Sequence, residues 1–88
     1  MKPKMTIDEH GTKRWLVKDE YYHREDGPAV EYANGTKRWY LNGKLHREDG
    51  PAVEYANGTK RWYLNGKELT EEEFKRHILK KTLQELIQ

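Results

Sequence analysis

An exact tandem duplication dominates this sequence. Residues 23–44 read HREDGPAVEYANGTKRWYLNGK, and residues 46–67 repeat the same letters without change, with Leu45 as the joint. The period is 23 residues, and the two copies fill half of an 88-residue chain. A fixed period in this range is typical of structures built from stacked supersecondary units. We therefore expect a single domain, 1–88, made of such units.

A shorter match carries the repeat towards the N-terminus. The letters GTKRW occur at 11–15 as well as at 35–39 and 58–62. The first unit has one extra residue before His23, and the letters KDE stand where the later units have Asn-Gly. Terminal units of a repeat array are usually atypical because they cap the stack. The chain thus divides into a degenerate first unit, two exact units and a C-terminal helix, at 5–22, 23–45, 46–67 and 70–87.

Composition limits the classes of protein that remain. The apolar fraction of 34% and the charged fraction of 36% lean towards disorder. However, the chain has three Trp, six Tyr and one Phe, many of them at repeated positions, and each ring buries ~150–250 Å² when packed. We therefore expect a folded protein with a thin core. The lack of cysteine excludes thiolate chemistry, and a net charge of +2 implies no strong attraction to nucleic acid or anionic lipid. Without a recognisable secretory signal or an apolar run long enough to span a membrane, the expected location is the cytoplasm.

Turn chemistry predicts β-hairpins. Asn-Gly at 34–35 and 57–58 is a strong hairpin signal, because both central residues of a type I′ turn need positive φ. A two-residue turn there pairs Val30 with Trp39 and Glu31 with Arg38, which separates an apolar face from a polar face. Residues 42–50 then form a longer loop. The units are predicted to make an antiparallel meander of about five or six short strands.

The C-terminal segment changes to a helical pattern. Thr70 and Glu73 form a capping box, and three glutamates lie at the positive end of the helix dipole. Apolar residues between 74 and 87 make a broad stripe, so a helix is predicted over about 71–86, lying across the apolar face of the sheet. The predicted fold class is α+β, mainly β: an antiparallel β-meander of tandem hairpin repeats with one C-terminal amphipathic helix packed on one face. Its predicted core comprises Trp39, Trp62, Val30, Val53, Phe74 and Ile78.

The sequence of the repeat resembles the sequences of a known family. The run GTKRW, followed by NGK, a His, a Gly and then an aromatic strand, is similar to the MORN repeat. The signature HREDGPA is closest to the MORN-like repeats with an H-R-x-D-G-P-A pattern that occur in bacteriophage and giant-virus proteins, whereas ordinary MORN units carry Gly-x-Gly in place of Asp-Gly-Pro. The resemblance covers residues 10–67 and implies an elongated antiparallel sheet that serves as a binding or dimerisation platform. It further implies a viral accessory protein that binds and inhibits a host defence protein in the host cytoplasm.

The letters HRED, at 23–26 and 46–49, form the densest polar cluster. One hypothesis makes His23 with Asp26, and His46 with Asp49, metal or acid–base sites. Zinc needs three or four converging ligands, and one His with two acids beside an Arg is a poor set. We favour the alternative in which each Asp stabilises its Asp-Gly turn and the His and Arg bond to the neighbouring loop. No catalytic constellation is recognisable, so neither an enzyme nor a metal or other cofactor is predicted.

Seven residues are candidates for binding a partner. Tyr and Arg are enriched at interface hot spots, Trp can stack on nucleic-acid bases or form a core, and the Lys-Arg pairs form a basic row. The candidates are Tyr40, Tyr63, Arg38, Arg61, Trp15, Lys37 and Lys60, with Trp15 expected to be exposed because it lies farthest from the helix. The predicted function is a non-enzymatic protein-binding module, which could also form a homodimer. The alternatives are a nucleic-acid or nucleotide-phosphate binder and a self-associating structural platform, and a membrane is the least favoured partner.

Overall fold

The computed structural model describes residues 2–87, in which ten short strands precede one helix. The α+β fold class predicted from the sequence is confirmed. The strands outnumber the predicted five or six mainly because each unit ends in a second hairpin, which adds three short strands where a loop was predicted, and also because the ladder is interrupted once at Trp39. The elements are β1 (Lys4–Ile7), β2 (Lys13–Val17), β3 (Tyr21–Tyr22), β4 (Val30–Glu31), β5 (Lys37–Arg38), β6 (Tyr40–Leu41), β7 (Lys44–Leu45), β8 (Val53–Glu54), β9 (Lys60–Leu64), β10 (Lys67–Leu69) and α1 (Glu71–Leu86).

The strands form one sheet with a small hairpin beside it. The sheet has the order β1-β2-β4-β5-β8-β9-β10, with β3 also paired to β2, while β6 pairs with β7 separately. Every one of these pairings is antiparallel. The described chain measures 47 × 33 × 18 Å, which is the shape of a slab. The meander is therefore confirmed, and each unit adds width to the slab.

The turn within each exact unit differs from the predicted one. In the first copy, the Gly35 N–H donates to the Tyr32 carbonyl at 3.0 Å, and the Tyr32 N–H donates to the Thr36 carbonyl at 2.9 Å. Gly35 has a φ of 96°, whereas Asn34 does not lie in the left-handed region. This is a three-residue loop in which a type I turn is closed by a glycine bulge. The prediction of two-residue type I′ turns at these Asn-Gly pairs is wrong.

The longer turn shifts the register of the hairpin by one residue. Val30 lies opposite Arg38 and Glu31 lies opposite Lys37, so the predicted pairs Val30–Trp39 and Glu31–Arg38 are wrong. The second copy has the same register. Because successive side chains point to opposite faces, a shift by one residue changes the partners on each face. Val30 therefore shares a face with Arg38, and Trp39 lies on the other.

The type I′ turns lie elsewhere in each unit. Asn-Gly at 42–43 has φ values of 51° and 81°, and Asn-Gly at 65–66 has values of 51° and 83°. These pairs close the β6–β7 and β9–β10 hairpins, so the prediction of one long loop over 42–50 is wrong. The first unit uses Lys18 and Asp19, with φ values of 57° and 54°, and accommodates its extra residue directly after them. Asn-Gly marks a turn at all four places but does not determine its length.

The observed register aligns side chains in three rows across the sheet. The Arg row consists of Arg14, Val30, Arg38, Val53 and Arg61, and the Lys row consists of Lys13, Glu31, Lys37, Glu54 and Lys60. The Trp row consists of Met5, Trp15, Ala29, Trp39, Ala52 and Trp62. Since side chains alternate along a strand, the Lys and Trp rows share one face, here called the Trp face, and the Arg row lies on the other, the Arg face.

Small residues alternate with tryptophans along the Trp row. Ala29 and Ala52 are fully buried, each between two tryptophans. Valines alternate with arginines in the same way along the Arg row. Of the predicted core residues, the buried ones are Val30, Val53 and Phe74, and the half-buried ones are Trp39, Trp62 and Ile78. The core is therefore a thin layer spread along the sheet, with few side chains buried on either face.

The HRED loops, residues 23–27 and 46–50, fold over the Trp face. The Arg24 guanidinium carbon lies 3.9 Å from the centroid of the Trp15 ring, and that of Arg47 lies 3.8 Å from the Trp39 ring. A guanidinium over an indole face is attracted by the ring quadrupole. Each of these tryptophans is thus covered by an arginine from the next unit. Trp15 is half-buried under Arg24, so the expectation that it is exposed is wrong.

The helix follows the last unit, where no further HRED loop exists to cover Trp62. The Glu73 N–H donates to the Thr70 hydroxyl at 3.1 Å, and the Thr70 N–H donates to the Glu73 carboxylate at 2.9 Å, so the predicted capping box is confirmed. These bonds to Thr70 hold the pKa of Glu73 below its usual value. Helix α1 packs on β9 and β10. It does not cross the whole apolar face as predicted, because the HRED loops already cover the earlier units.

Candidate interaction surfaces

A tyrosine-rich patch surrounds Arg38 on the Arg face. The Arg38 guanidinium carbon lies 5.7 Å from the centroid of the Tyr32 ring, and the rings of Tyr22 and Tyr40 lie 5.2 Å apart at a tilt of 50°. The Arg38 side chain is half-buried, and its Nε is buried without a hydrogen-bond partner among residues 2–87. A buried N–H that lacks an acceptor is unfavourable. We call the group formed by Arg38, Tyr22, Tyr32, Tyr40 and Tyr55 the Tyr–Arg patch.

The other two arginines of the Arg row have carboxylate partners. Arg14 donates to Asp8 at 2.7 Å, and the Arg14 bond lowers the pKa of Asp8 to about 2, with help from the His10 N–H. Arg61 makes two bonds to Glu68, at 2.9 and 3.1 Å. The Tyr55 hydroxyl and then Glu68 raise the pKa of Arg61 above its usual value. Within the described chain, Arg38 is thus the member of the Arg row that has no carboxylate partner.

The Lys row carries alternating charge. Glu31 lies between Lys13 and Lys37, and a second glutamate takes the same place before Lys60. Each glutamate also accepts a bond from the arginine of its HRED loop, at 3.1 Å in the first copy and 2.8 Å in the second. Positive charge on the Trp face is therefore interrupted at every second strand. The predicted basic row is not a continuous surface.

The seven predicted binding residues divide between the two faces. Arg38 and Tyr40 lie in the Tyr–Arg patch, and Tyr63 and the exposed Arg61 lie on the same face at its C-terminal end. The other three, Trp15, Lys37 and Lys60, lie on the Trp face. Sequence reasoning missed Tyr32 and Tyr55 because the register error assigned them to the apolar face. Their repetition at the same place in both copies is the signal that could have found them.

A cleft of about 600 Å³ lies between the two HRED loops and is lined mainly by their charged residues. The Nδ1 atoms of His23 and His46 each accept a bond, from the N–H groups of Asn42 and Asn65, both at 2.9 Å. Each histidine thus holds in place the type I′ turn at the C-terminal end of its own unit. The arginines are bonded to the aspartates of their own loops, at 3.0 and 2.8 Å. Over residues 2–87, no group of three His, Cys, Asp or Glu is arranged to hold a metal ion.

The C-terminal half of α1 presents apolar side chains to solvent. The exposed fractions are 60% for Leu79, 53% for Leu83, 75% for Leu86 and 84% for Ile87, which directly follows the helix. The prediction that the whole stripe packs on the sheet is wrong, because only the Phe74 end of the helix is buried. A groove of about 700 Å³ separates the helix from the second HRED loop. Lys81 of the helix donates to Glu48 of that loop. That bond, followed by one from His46, lowers the pKa of Glu48.

Comparisons with known proteins give no relative from which a role could be transferred. No family model, curated protein or solved structure that was compared matches the chain. In residues 2–87, the helix is neither long enough nor apolar enough to cross a membrane.

Proposed function

We propose that this chain is a non-enzymatic protein-binding module whose Arg face engages an acidic group of its partner. The observation that carries the proposal is the state of Arg38, which lacks a carboxylate partner in residues 2–87 and holds a buried Nε–H without an acceptor. A carboxylate of the partner would neutralise the guanidinium of Arg38, whose side chain is half-buried, although the covered Nε atom itself would not contact it. A hydrogen bond between ionised groups is about twice as strong as one between neutral groups.

The tyrosines around Arg38 support the same proposal. Tyrosine offers a large and rigid contact area at a low cost in side-chain entropy. Together with arginine it is over-represented among residues that dominate binding energy. Because Asp8 and Glu68 already neutralise Arg14 and Arg61, the electrostatic attraction for an acidic partner group is greatest in the middle of the face.

The alternating charge of the Lys row favours a protein over a nucleic acid as the partner. Binding to a phosphate backbone depends on several cations that contact successive phosphates. In the Lys row, Glu31 and Glu54 separate the lysines, so a phosphate backbone would meet repulsion at every second position. The resemblance to repeats of viral proteins makes a host protein the first class of partner to screen.

The test compares two variants with the same change of charge on opposite faces of one strand. Arg38→Gln removes the proposed contact, and Lys37→Gln, its neighbour, is the matched control. A lysate of the natural host is passed over the wild-type chain and both variants. We expect a protein that is retained by the wild type and Lys37→Gln and lost with Arg38→Gln. With that protein purified, Arg38→Gln should weaken binding by about 10–150-fold, the effect of one charge-assisted hydrogen bond.

Retention that Arg38→Gln leaves unchanged would contradict the proposal, provided that circular dichroism shows both variants folded. The salt dependence of binding distinguishes this function from the rival one, binding to a nucleic acid. A complex that rests on phosphate contacts weakens steeply between ~50 and 200 mM salt. If the retained molecule is a nucleic acid with that salt dependence, and Lys37→Gln weakens it, the chain is a nucleic-acid binder instead.

A further inference from the structure

We propose that copies of this chain associate head to tail, so that the sheet of one copy continues into the sheet of the next. The occupant of each free sheet end is a second copy of the same chain. The inference does not depend on the proposed function, because it uses the two ends of the sheet and leaves the Tyr–Arg patch free.

The C-terminal end of the sheet has an empty strand position. On its outer side, β9 is paired by β10 only over Trp62–Leu64, so Lys60 and Arg61 have no strand beside them there within residues 2–87. In the preceding unit, the equivalent residues Lys37 and Arg38 pair on that side with β8. A cleft of about 390 Å³ lies at the empty position. The last unit thus lacks the strand that every interior unit receives from its successor.

The N-terminal end has a strand whose outer edge is unpaired. Thr6 lies opposite Arg14 as Val30 lies opposite Arg38, so β1 holds the same place in the first unit that β4 and β8 hold in the exact units. Strands β4 and β8 are paired on both sides, whereas β1 is paired only with β2 among the described residues. The free edge of β1 is therefore the edge that an interior unit presents to its predecessor.

The two ends are complementary in register. By the interior pairing of β5 with β8, β1 of one copy would place Thr6 opposite Arg61, Ile7 opposite Lys60 and Met5 beside Trp62 of the next copy. Strand addition to an open edge supplies main-chain hydrogen bonds in this way. Met5 and Ile7 are 43% and 56% exposed in the single chain and would be covered on the Trp face.

Charge also favours a second copy as the occupant. The C-terminal cleft is lined by three glutamates, Glu68, Glu71 and Glu73, and by two cations, of which Arg61 is paired with Glu68, so the cleft has an excess of one negative charge. The incoming strand carries Lys4, with Lys2 just before it. A contact between different surfaces of two identical chains does not close on itself, so it produces open-ended oligomers and not a symmetric dimer. This distinguishes it from pairing through the exposed stripe of α1, which would stop at two copies.

Disulfide trapping tests the register directly, because the chain has no cysteine of its own. In Thr6→Cys/Arg61→Cys, oxidation should link copies through their opposite ends and give a ladder of dimers, trimers and larger species on a non-reducing gel. Within one molecule the two thiols lie at opposite ends of the sheet and cannot meet. Each single variant can give at most a dimer. The control Ile7→Cys/Arg61→Cys, shifted by one residue, places the thiols on opposite faces and should give no ladder.

Sedimentation of the unmodified chain tests the assembly without a cross-link. The average mass should rise with concentration past that of a dimer. In the pairing of β5 with β8, the Trp39 N–H donates to the Ala52 carbonyl. Backbone groups two residues apart point to the same side of a strand, so the Glu54 N–H also points towards β5. Ile7 takes the place in β1 that Glu54 takes in β8, and its N–H therefore points out from the free edge. Ile7→Pro removes the outward N–H from an edge strand, where proline is tolerated, and should leave a folded monomer.

Leu83→Lys/Leu86→Lys, on the exposed stripe of the helix, is the matched control and should still assemble. Four results would overturn the proposal: a mass that stays at the monomer, a mass that stops at the dimer, association that Ile7→Pro leaves intact, or a ladder from the shifted cysteine pair that equals the in-register one.

Discussion

Replacing Arg47 by alanine should destabilise the fold far more than its place in a surface loop suggests. Arg47 lies 3.8 Å from the Trp39 ring centroid and donates to Glu54 at 2.8 Å and to the Pro51 carbonyl at 3.0 Å. It thereby joins the second HRED loop to both the Trp row and the Lys row. Its side chain is only 20% exposed. The exact duplication gives Arg24 the same three contacts in the first copy.

The expected loss follows from those contacts. Stacking of a guanidinium on an indole contributes ~0.5–2 kcal/mol. A hydrogen bond to a charged group contributes ~1.5–3 kcal/mol, which must be reduced here because Glu54 is 34% exposed and water screens the pair. The Pro51 carbonyl would also lose a donor. We expect Arg47→Ala to lower the free energy of unfolding by about 3 kcal/mol, a large share of the stability of a small domain.

Urea unfolding followed by tryptophan fluorescence measures this loss. Arg61→Ala is the matched control, because Arg61 and Glu68 are 45% and 44% exposed, and exposed pairs are worth at most ~1 kcal/mol. Arg47→Lys should recover little, since an ammonium group cannot stack as a planar guanidinium does. If Arg47→Ala and Arg61→Ala shift the unfolding free energy equally, the HRED loop does not stabilise the sheet by covering Trp39, and the reasoning fails.

Two further predictions concern the packing and the charge of the sheet. Ala52→Leu enlarges a fully buried residue between two tryptophans and should lower the free energy of unfolding, measured in urea, by ~1–3 kcal/mol. Ala56→Leu, at an exposed turn, should change it by no more than ~0.5 kcal/mol. Equal effects of the two variants would contradict the packing of Ala52 within the Trp row. The pKa of Asp8 is about 2 in the folded chain against 3.8 for the free group, so its contribution to stability is present above pH ~4 and is lost as pH falls through 2. In Asp8→Asn, the urea midpoint should fall less between pH 5 and pH 2 than it does in the wild type. An unchanged dependence of the midpoint on pH would show that Arg14 does not stabilise the ionised carboxylate.

Local features of the fold were predictable because neighbouring residues determine them. The helix and its capping box need only residues within one or two turns of Thr70, and the helix bounds were right at both ends. The repeat units could be predicted from the sequence identity between the copies alone. The register was not predictable from turn chemistry, since Asn-Gly suits both a two-residue turn and a three-residue loop with a bulge.

Size complementarity contained the missing information about register. The wrong register places Glu31 opposite Arg38 and the right one places it opposite Lys37, so charge does not discriminate between them. The right register sets the small Ala29 between Trp15 and Trp39, whereas the wrong one sets a valine against a tryptophan. The position of the helix was missed for a related reason. No local sequence pattern predicts that the HRED arginines cover the tryptophans of the earlier units.

The contacts between units repeat so closely that a further copy should add to the fold. The Trp15 and Trp39 N–H groups both bond to the alanine of the next unit at 2.8 Å, and both interior histidines bond to their turns at 2.9 Å. Inserting another copy of residues 23–45 directly after Leu45 preserves every contact of the last unit with α1. In a repeat array, stability is close to a sum of units and of interfaces between neighbours.

The lengthened chain should therefore unfold in a single transition with a higher urea midpoint and a steeper dependence on urea, because more surface is exposed on unfolding. Deleting residues 23–45 should have the opposite effect on both quantities. The decisive comparison is among the shortened, natural and lengthened chains. An inserted copy that unfolds separately, or that leaves the midpoint unchanged, would show that the interface between units contributes little, and that the stability of the slab comes instead from its two atypical ends.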